Sequence, residues 1–124
     1  MGKKKEVHVT GYDALMAAVA GVEPPVFVLF CGSKDSSGNS WCPDCVSAEP
    51  VVKAMVESSM PAQATFIHCD VGERDFWKDQ SNPFRTDPKL KLTGVPTLLK
   101  WNSNAKLVEE QCLKKDLVEM MFED

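Results

Sequence analysis

No run of about 18 apolar residues occurs in the chain, so the sequence offers no bilayer-spanning helix. The basic start Lys3-Lys4-Lys5 leads into Glu6-Val7-His8-Val9 rather than an apolar stretch. No signal peptide is therefore expected, and the basic run reads as a solvated tail. Met1-Gly2 invites myristoylation, but Glu6 stands where that modification wants serine or threonine. Positive charge is also short: 14 Lys and Arg against 18 Asp and Glu leave a net charge of -4. That balance argues against nucleic-acid and anionic-membrane partners, which favour basic patches. Internal repeats, linkers and low-complexity segments are missing as well. At 124 residues and 44% hydrophobic content the chain suits one domain, residues 1–124, whose core needs no covalent staple. A cytoplasmic location is expected. There, five cysteines should be mostly reduced, and a close pair is more often catalytic or metal-binding than structural.

The close pair is present in Trp41-Cys42-Pro43-Asp44-Cys45, just before a helical pattern. Two thiols three positions apart at a helix start share one turn, within reach of a disulfide that opens and closes locally. The N-terminal dipole favours thiolate over thiol. Cys42, at the orphan N–H groups, is expected to be exposed, readily ionised and attacking; Cys45, one turn deeper, should resolve the mixed disulfide. Pro43 suits the first helical turn, and Trp41 offers a substrate an apolar surface. Asp44 is favoured by the dipole yet opposes a neighbouring thiolate, a competition that spacing leaves open. A metal at this pair would need two further ligands. Cys31, Cys69, Cys112, His8 and His68 form no second Cys-x-x-Cys and no His-x-x-x-His, so no metal is expected.

The coarse element pattern is β-α-β-α-β-(α)-β-β-α. Val7 and Val9 mark a strand; Thr10 caps a helix with Tyr12, Leu15, Met16 and Val19 on one stripe. Val26 to Cys31 is a continuous apolar strand, buried on both faces. A polar loop over 32–40 precedes a helix carrying Ala48, Val52, Met55 and Val56, kinked by Pro50 and ended before Pro61. Thr65 to Cys69 is a strand. The segment 70–89 is irregular, with a helical turn near Arg74 to Lys78. Val95 to Trp101 and Leu107 to Glu110 should pair as an antiparallel hairpin. A last helix presents Leu113, Leu117, Met120 and Met121 to the core. The expected fold class is α/β, a central mixed β-sheet with helices on both faces.

Gly94-Val95-Pro96-Thr97 is the second chemical element. Proline is tolerated at a strand's first residue, and X-Pro bonds alone readily turn cis. A cis Val95-Pro96 bond would present the Val95 backbone to an extended substrate beside Cys42.

Trp41-Cys42-x-x-Cys45, Pro50 five residues on, and Val95-Pro96-Thr97 resemble the thioredoxin fold. Ser33-Lys34-Asp35, Ser40 through Cys45, Ala48-Glu49-Pro50-Val51 and Val95 through Lys100 are similar to one branch, the thioredoxin domain-containing protein 17 family, called Clot in plants. The likeness runs from Val7 to Phe122. It implies a cytosolic protein-disulfide reductase, acting as a monomer on disulfide-containing proteins or small molecules, with a narrower range than thioredoxin. It also implies that no cofactor is bound and that thioredoxin reductase supplies electrons from NADPH. By position, Cys42 is the nucleophile, Cys45 the resolving thiol, Pro43 and Asp44 tune the potential, and Pro96 is the cis-proline. A redox-gated binding module on the same fold is the alternative. Leu29 occupies the place of the buried aspartate of thioredoxins, so Asp44, a water or a distant group must serve Cys45. The Lys34–Asn39 loop and the long 70–89 segment should restrict access.

The remaining cysteines and aromatics have plainer readings. Cys31 is expected as a small core residue. Cys69 and His68, adjacent on a strand, should face opposite ways. Cys112 is expected at the surface, open to intermolecular disulfides. Phe76, Trp77 and Phe84 should pack onto the sheet.

Overall fold

The computed structural model describes residues 5–123; Met1, Gly2, Lys3 and Lys4, and with them most of the basic run, lie outside. Eleven elements follow in order: β1 (Lys5–Thr10), α1 (Tyr12–Ala20), β2 (Val26–Cys31), α2 (Pro43–Ser59), β3 (Thr65–Asp70), α3 (Arg74–Lys78), α4 (Pro83–Thr86), β4 (Thr97–Lys100), β5 (Lys106–Val108), a 3₁₀ helix (Glu109–Leu113) and α5 (Lys115–Glu123). The five strands form one mixed sheet in the order β1-β3-β2-β4-β5. β1, β3 and β2 run parallel, and β4 and β5 fold back as the antiparallel pair.

Strand parity shows why both faces are covered. Every residue of β2 and β3 is buried. Phe27 and Phe30 are three apart on β2 and so face opposite ways. Phe27 meets Phe122 of α5 edge-on at 4.8 Å, while Phe30 meets Phe84 of α4 at 5.9 Å. Tyr12 of α1 also packs on Phe84, so α1 and α4 share the second face. α2 lies with α5 on the first. This is the α/β arrangement expected.

Several boundaries differ from the sequence reading. Thr10 belongs to β1, and Gly11, at φ 92°, caps α1 instead. α2 starts at Pro43, with Cys42 as its cap, and Pro50 lies inside it without ending it. The 70–89 segment holds two short helices. In the second, Asn82 caps by accepting from the Phe84 and Arg85 N–H groups. β4 begins at Thr97 rather than Val95, and Trp101 already lies in the turn. β5 stops at Val108, because the chain tightens into the 3₁₀ helix.

Three placements are corrected. Met120 is 62% exposed; the buried stripe of α5 is Val118, Met121 and Phe122, at i, i+3 and i+4. Leu113 sits in the 3₁₀ helix, which shifts the phase. Cys112 is fully buried, its Sγ 3.4 Å from the Leu107 carbonyl. Burial pushes that thiol up to about 12, so the surface role expected of it is excluded in the folded chain. Phe76 is 47% exposed, whereas Trp77 and Phe84 do pack inward.

Candidate active site

The end of β2 and the start of α2 build the site, joined by an ordered loop. Lys34 and Ser40 pair as a bridge. Between them Asp35 Oδ1 accepts from the Ser37 and Asn39 N–H groups at 2.8 and 3.1 Å. Ser40 Oγ donates to the Gly32 carbonyl at 2.8 Å and accepts from the Cys42 N–H at 3.1 Å. Ser40 thus ties the strand end to the helix cap, a role the sequence reading missed. A hydroxyl two residues before the first cysteine was its only signal.

The Trp41 indole lies against Gly32. A Cβ at position 32 would come within 2.5 Å of the indole, so only glycine fits. Trp41 Nε1 donates to the Gly72 carbonyl at 2.8 Å, and Arg74 sits over the ring at 5.8 Å while donating to the Trp41 carbonyl at 3.3 Å. The indole is thus held at its Nε1 edge, with Arg74 over one face.

All five cysteines are free, so this is the dithiol form. Cys42 caps α2, and its Sγ accepts from the Cys45 N–H at 3.2 Å. The same thiol donates to the Val95 carbonyl at 3.5 Å. The Val95-Pro96 bond is cis, as expected; Pro24-Pro25 is cis as well, which was not. Val95 and Pro96 are buried, and the Pro96 carbonyl accepts from the Glu109 N–H at 2.6 Å. Pro43 and Asp44 are exposed at the helix start. The predicted site residues Trp41, Cys42, Pro43 and Val95 thus meet at one cleft, with Cys45 directly behind Cys42.

Two expectations about Cys42 need correction. The residue is only 6% exposed, not open. It reaches solvent through a cleft of about 360 Å³, walled by Trp41, Arg74, Trp77, Arg85 and Val95. Ready ionisation is opposed as well. The Cys42 thiol is pushed up, first by its hydrogen bond with the Cys45 thiol, then by burial, the Cys45 charge and the Asp44 carboxylate. The Cys45 N–H pulls the other way and loses. The Asp44 carboxylate stands on the raising side, as the smallest of these causes.

Cys45 is 1% exposed and also pushed up, chiefly by a hydrogen bond with the Cys31 thiol, against which the Cys42 thiol and the Gly32 backbone pull down. Leu29 is fully buried in the strand, as its apolar character implies. The group beside the resolving thiol is thus a third cysteine. Sequence reasoning had set Cys31 aside as core; its place at the end of β2, beside the start of α2, was the available clue. Cys69 turns away from the His68 face and stays buried, its thiol pushed up to about 12 by burial. The remaining unassigned cluster, His8 with His68 and Asp70, lies on the β1–β3 edge of the sheet.

Comparison with known proteins settles the lineage. A family model described as thioredoxin domain-containing protein 17-like, thioredoxin domain, matches residues 8–124. The chain belongs to the thioredoxin domain-containing protein 17-like family. Relatives named thioredoxin domain-containing protein 17 are 51% identical in Epinephelus coioides, over 98% of both chains, and 46% identical in Homo sapiens, over 100% of this chain and 99% of that one. The thioredoxin-like protein Clot of Oryza sativa is 39% identical over 76% of this chain and 71% of its own. Among solved structures, chloroplastic thioredoxin z superposes with a TM-score of 0.58 at 17% identity, over 98% of this chain and 94% of that one. That likeness establishes the thioredoxin fold. Membership in the family supports a redox-type function. Among the described residues no helix is long and apolar enough to cross a membrane.

Proposed function

We propose that the protein is a cytoplasmic protein-disulfide reductase. The Cys42 thiolate attacks one sulfur of a substrate disulfide; a mixed disulfide forms and the first substrate thiolate leaves. The Cys45 thiolate then attacks Cys42 Sγ, releasing the second substrate thiolate and leaving a Cys42–Cys45 disulfide. Two electrons from NADPH, delivered by thioredoxin reductase, restore the dithiol. The observation that carries this reading is the lodging of Cys42 Sγ between the Cys45 N–H at 3.2 Å and the Val95 carbonyl at 3.5 Å, on the wall of a cleft. An extended substrate laid along 94–95 would bring its disulfide to that sulfur.

A narrower range than thioredoxin's fits the walls of the cleft. α3 and α4, from the long 70–89 segment, line it with Arg74, Lys78 and Arg85, against the single acid Glu109. That rim favours disulfides flanked by acidic residues, with a rate that falls as salt rises.

The test is reduction of insulin and small disulfides by full-length protein with thioredoxin reductase and NADPH. Turnover is expected and should vanish in Cys42→Ser. Cys45→Ser should accumulate mixed disulfides on Cys42. No turnover on insulin, cystine or any peptide disulfide would overturn the reading in favour of a redox-gated binding module.

A further inference from the structure

The parallel pairing of β1 with β3 sets His8 directly beside His68. Asp70, two residues beyond His68, returns to the same face. The two imidazoles stand 4.7 Å apart between centroids. The Asp70 carboxylate spans them, with Oδ2 at 2.8 Å from His8 Nε2 and Oδ1 at 3.2 Å from His68 Nε2. Each residue offers one donor atom within 4.8 Å of the other two. His68 and Asp70 are 8% and 7% exposed, and His68 Nε2 and Asp70 Oδ1 are sealed from solvent with only each other for a partner.

We propose that His8, His68 and Asp70 form a binding site for a divalent transition metal of the zinc class. Two neutral imidazoles and one carboxylate on one side of the ion, with the other side open, is an established donor set for such metals. The three donors need only spread around a central ion at about 2.0–2.2 Å from each. Glu49, on α2, stands behind the ring, its Oε2 3.7 Å from His68 Nδ1, beyond hydrogen-bond length but near enough to close onto that N–H once the ion fixes the tautomer. His8 and His68 also line a cleft of about 240 Å³, together with Glu6, Lys34, Glu49 and Lys53. Both lysines are paired, Lys34 with Glu49 at 3.1 Å and Lys53 with Glu6 at 2.7 Å, so they do not leave free positive charge at its mouth. The bound ion clasps edge strand β1 to β3. Helical or short-range spacing could not reveal this site, because its ligands are joined by strand register across 60 residues of sequence.

The test uses full-length protein carrying Cys42→Ser and Cys45→Ser, so that the dithiol cannot take the metal. Co²⁺ and Zn²⁺ are titrated separately. One ion per chain should bind, Co²⁺ giving weak visible bands without a thiolate charge-transfer band, and Zn²⁺ raising the melting temperature. His8→Ala, at a residue whose side chain is 58% exposed, should keep the fold and lose the binding. Glu49→Gln should weaken it by about 10–100-fold. Absence of saturable binding, a thiolate band, or equal affinity in His8→Ala would each overturn the assignment. None of these outcomes depends on reductase activity.

Discussion

At the level of single residues, the reduced site works against its own nucleophile. The helix N-terminus donates one N–H to Cys42, but a neighbouring thiol, burial and Asp44 oppose the charge. Since the Cys42 thiol is raised, its thiolate fraction grows with pH. Alkylation of Cys42 by iodoacetamide should therefore climb, by up to about tenfold per pH unit, from neutrality into the alkaline range. Asp44→Asn removes one cause of the rise, so its rate profile should move to lower pH. An unmoved profile would clear Asp44 of that role. Cys31 raises Cys45 in the same way. Cys31→Ala should shorten the life of the mixed disulfide severalfold, as followed by quenched-flow trapping. Longer-lived mixed disulfides would make Cys31 a proton acceptor instead.

At the level of elements, the β2–α2 junction and α5 carry the sharpest consequences. Gly32 admits the Trp41 ring, and a methyl group there collides with it. Gly32→Ala should cost about 1–3 kcal/mol of stability in urea unfolding, the usual cost of overpacking, and lower turnover by displacing the indole. In α5, Phe122 is fully buried against Phe27 while Met120 faces solvent. Phe122→Ala should cost about 3–5 kcal/mol and Met120→Ala under about 0.5 kcal/mol. Equal losses would return α5 to the phase expected from its apolar residues alone.

For the molecule as a whole, one polar contact links the start of α1 to the turn after α4. The Tyr12 hydroxyl donates to Asp87 Oδ2. Burial opposes the Asp87 charge, but Tyr12 and the N–H groups of Lys89 and Leu90 outweigh it and hold the carboxyl low. A lowered acid stabilises the fold above its unfolded value of about 3.9 and loses that contribution as pH falls through the lower, folded value. Tyr12 is raised, chiefly by the same bond, so its contribution is full below about pH 10 and fades as pH climbs through the raised value. Tyr12→Phe should lower thermal stability most near neutrality, where both contributions are full, and converge on the parent at the acid and alkaline extremes, so that both limbs flatten. Limbs unchanged from the parent would place the pH dependence elsewhere.

What the sequence determined by itself is what depends on neighbours in the chain. The Cys42–Cys45 turn, the proline at its start, the all-apolar β2 and the Val95-Pro96 entrance were legible because helix and strand periods act over a few residues. The phase of α5 was not, because the 3₁₀ helix before it changes the count. Tertiary structure decided the rest. It placed Cys31 against Cys45, sank Cys42 into a cleft, buried Cys112 and brought His8 to His68 and Asp70. Each of these follows from strand register or packing between distant segments, and no local period encodes such contacts.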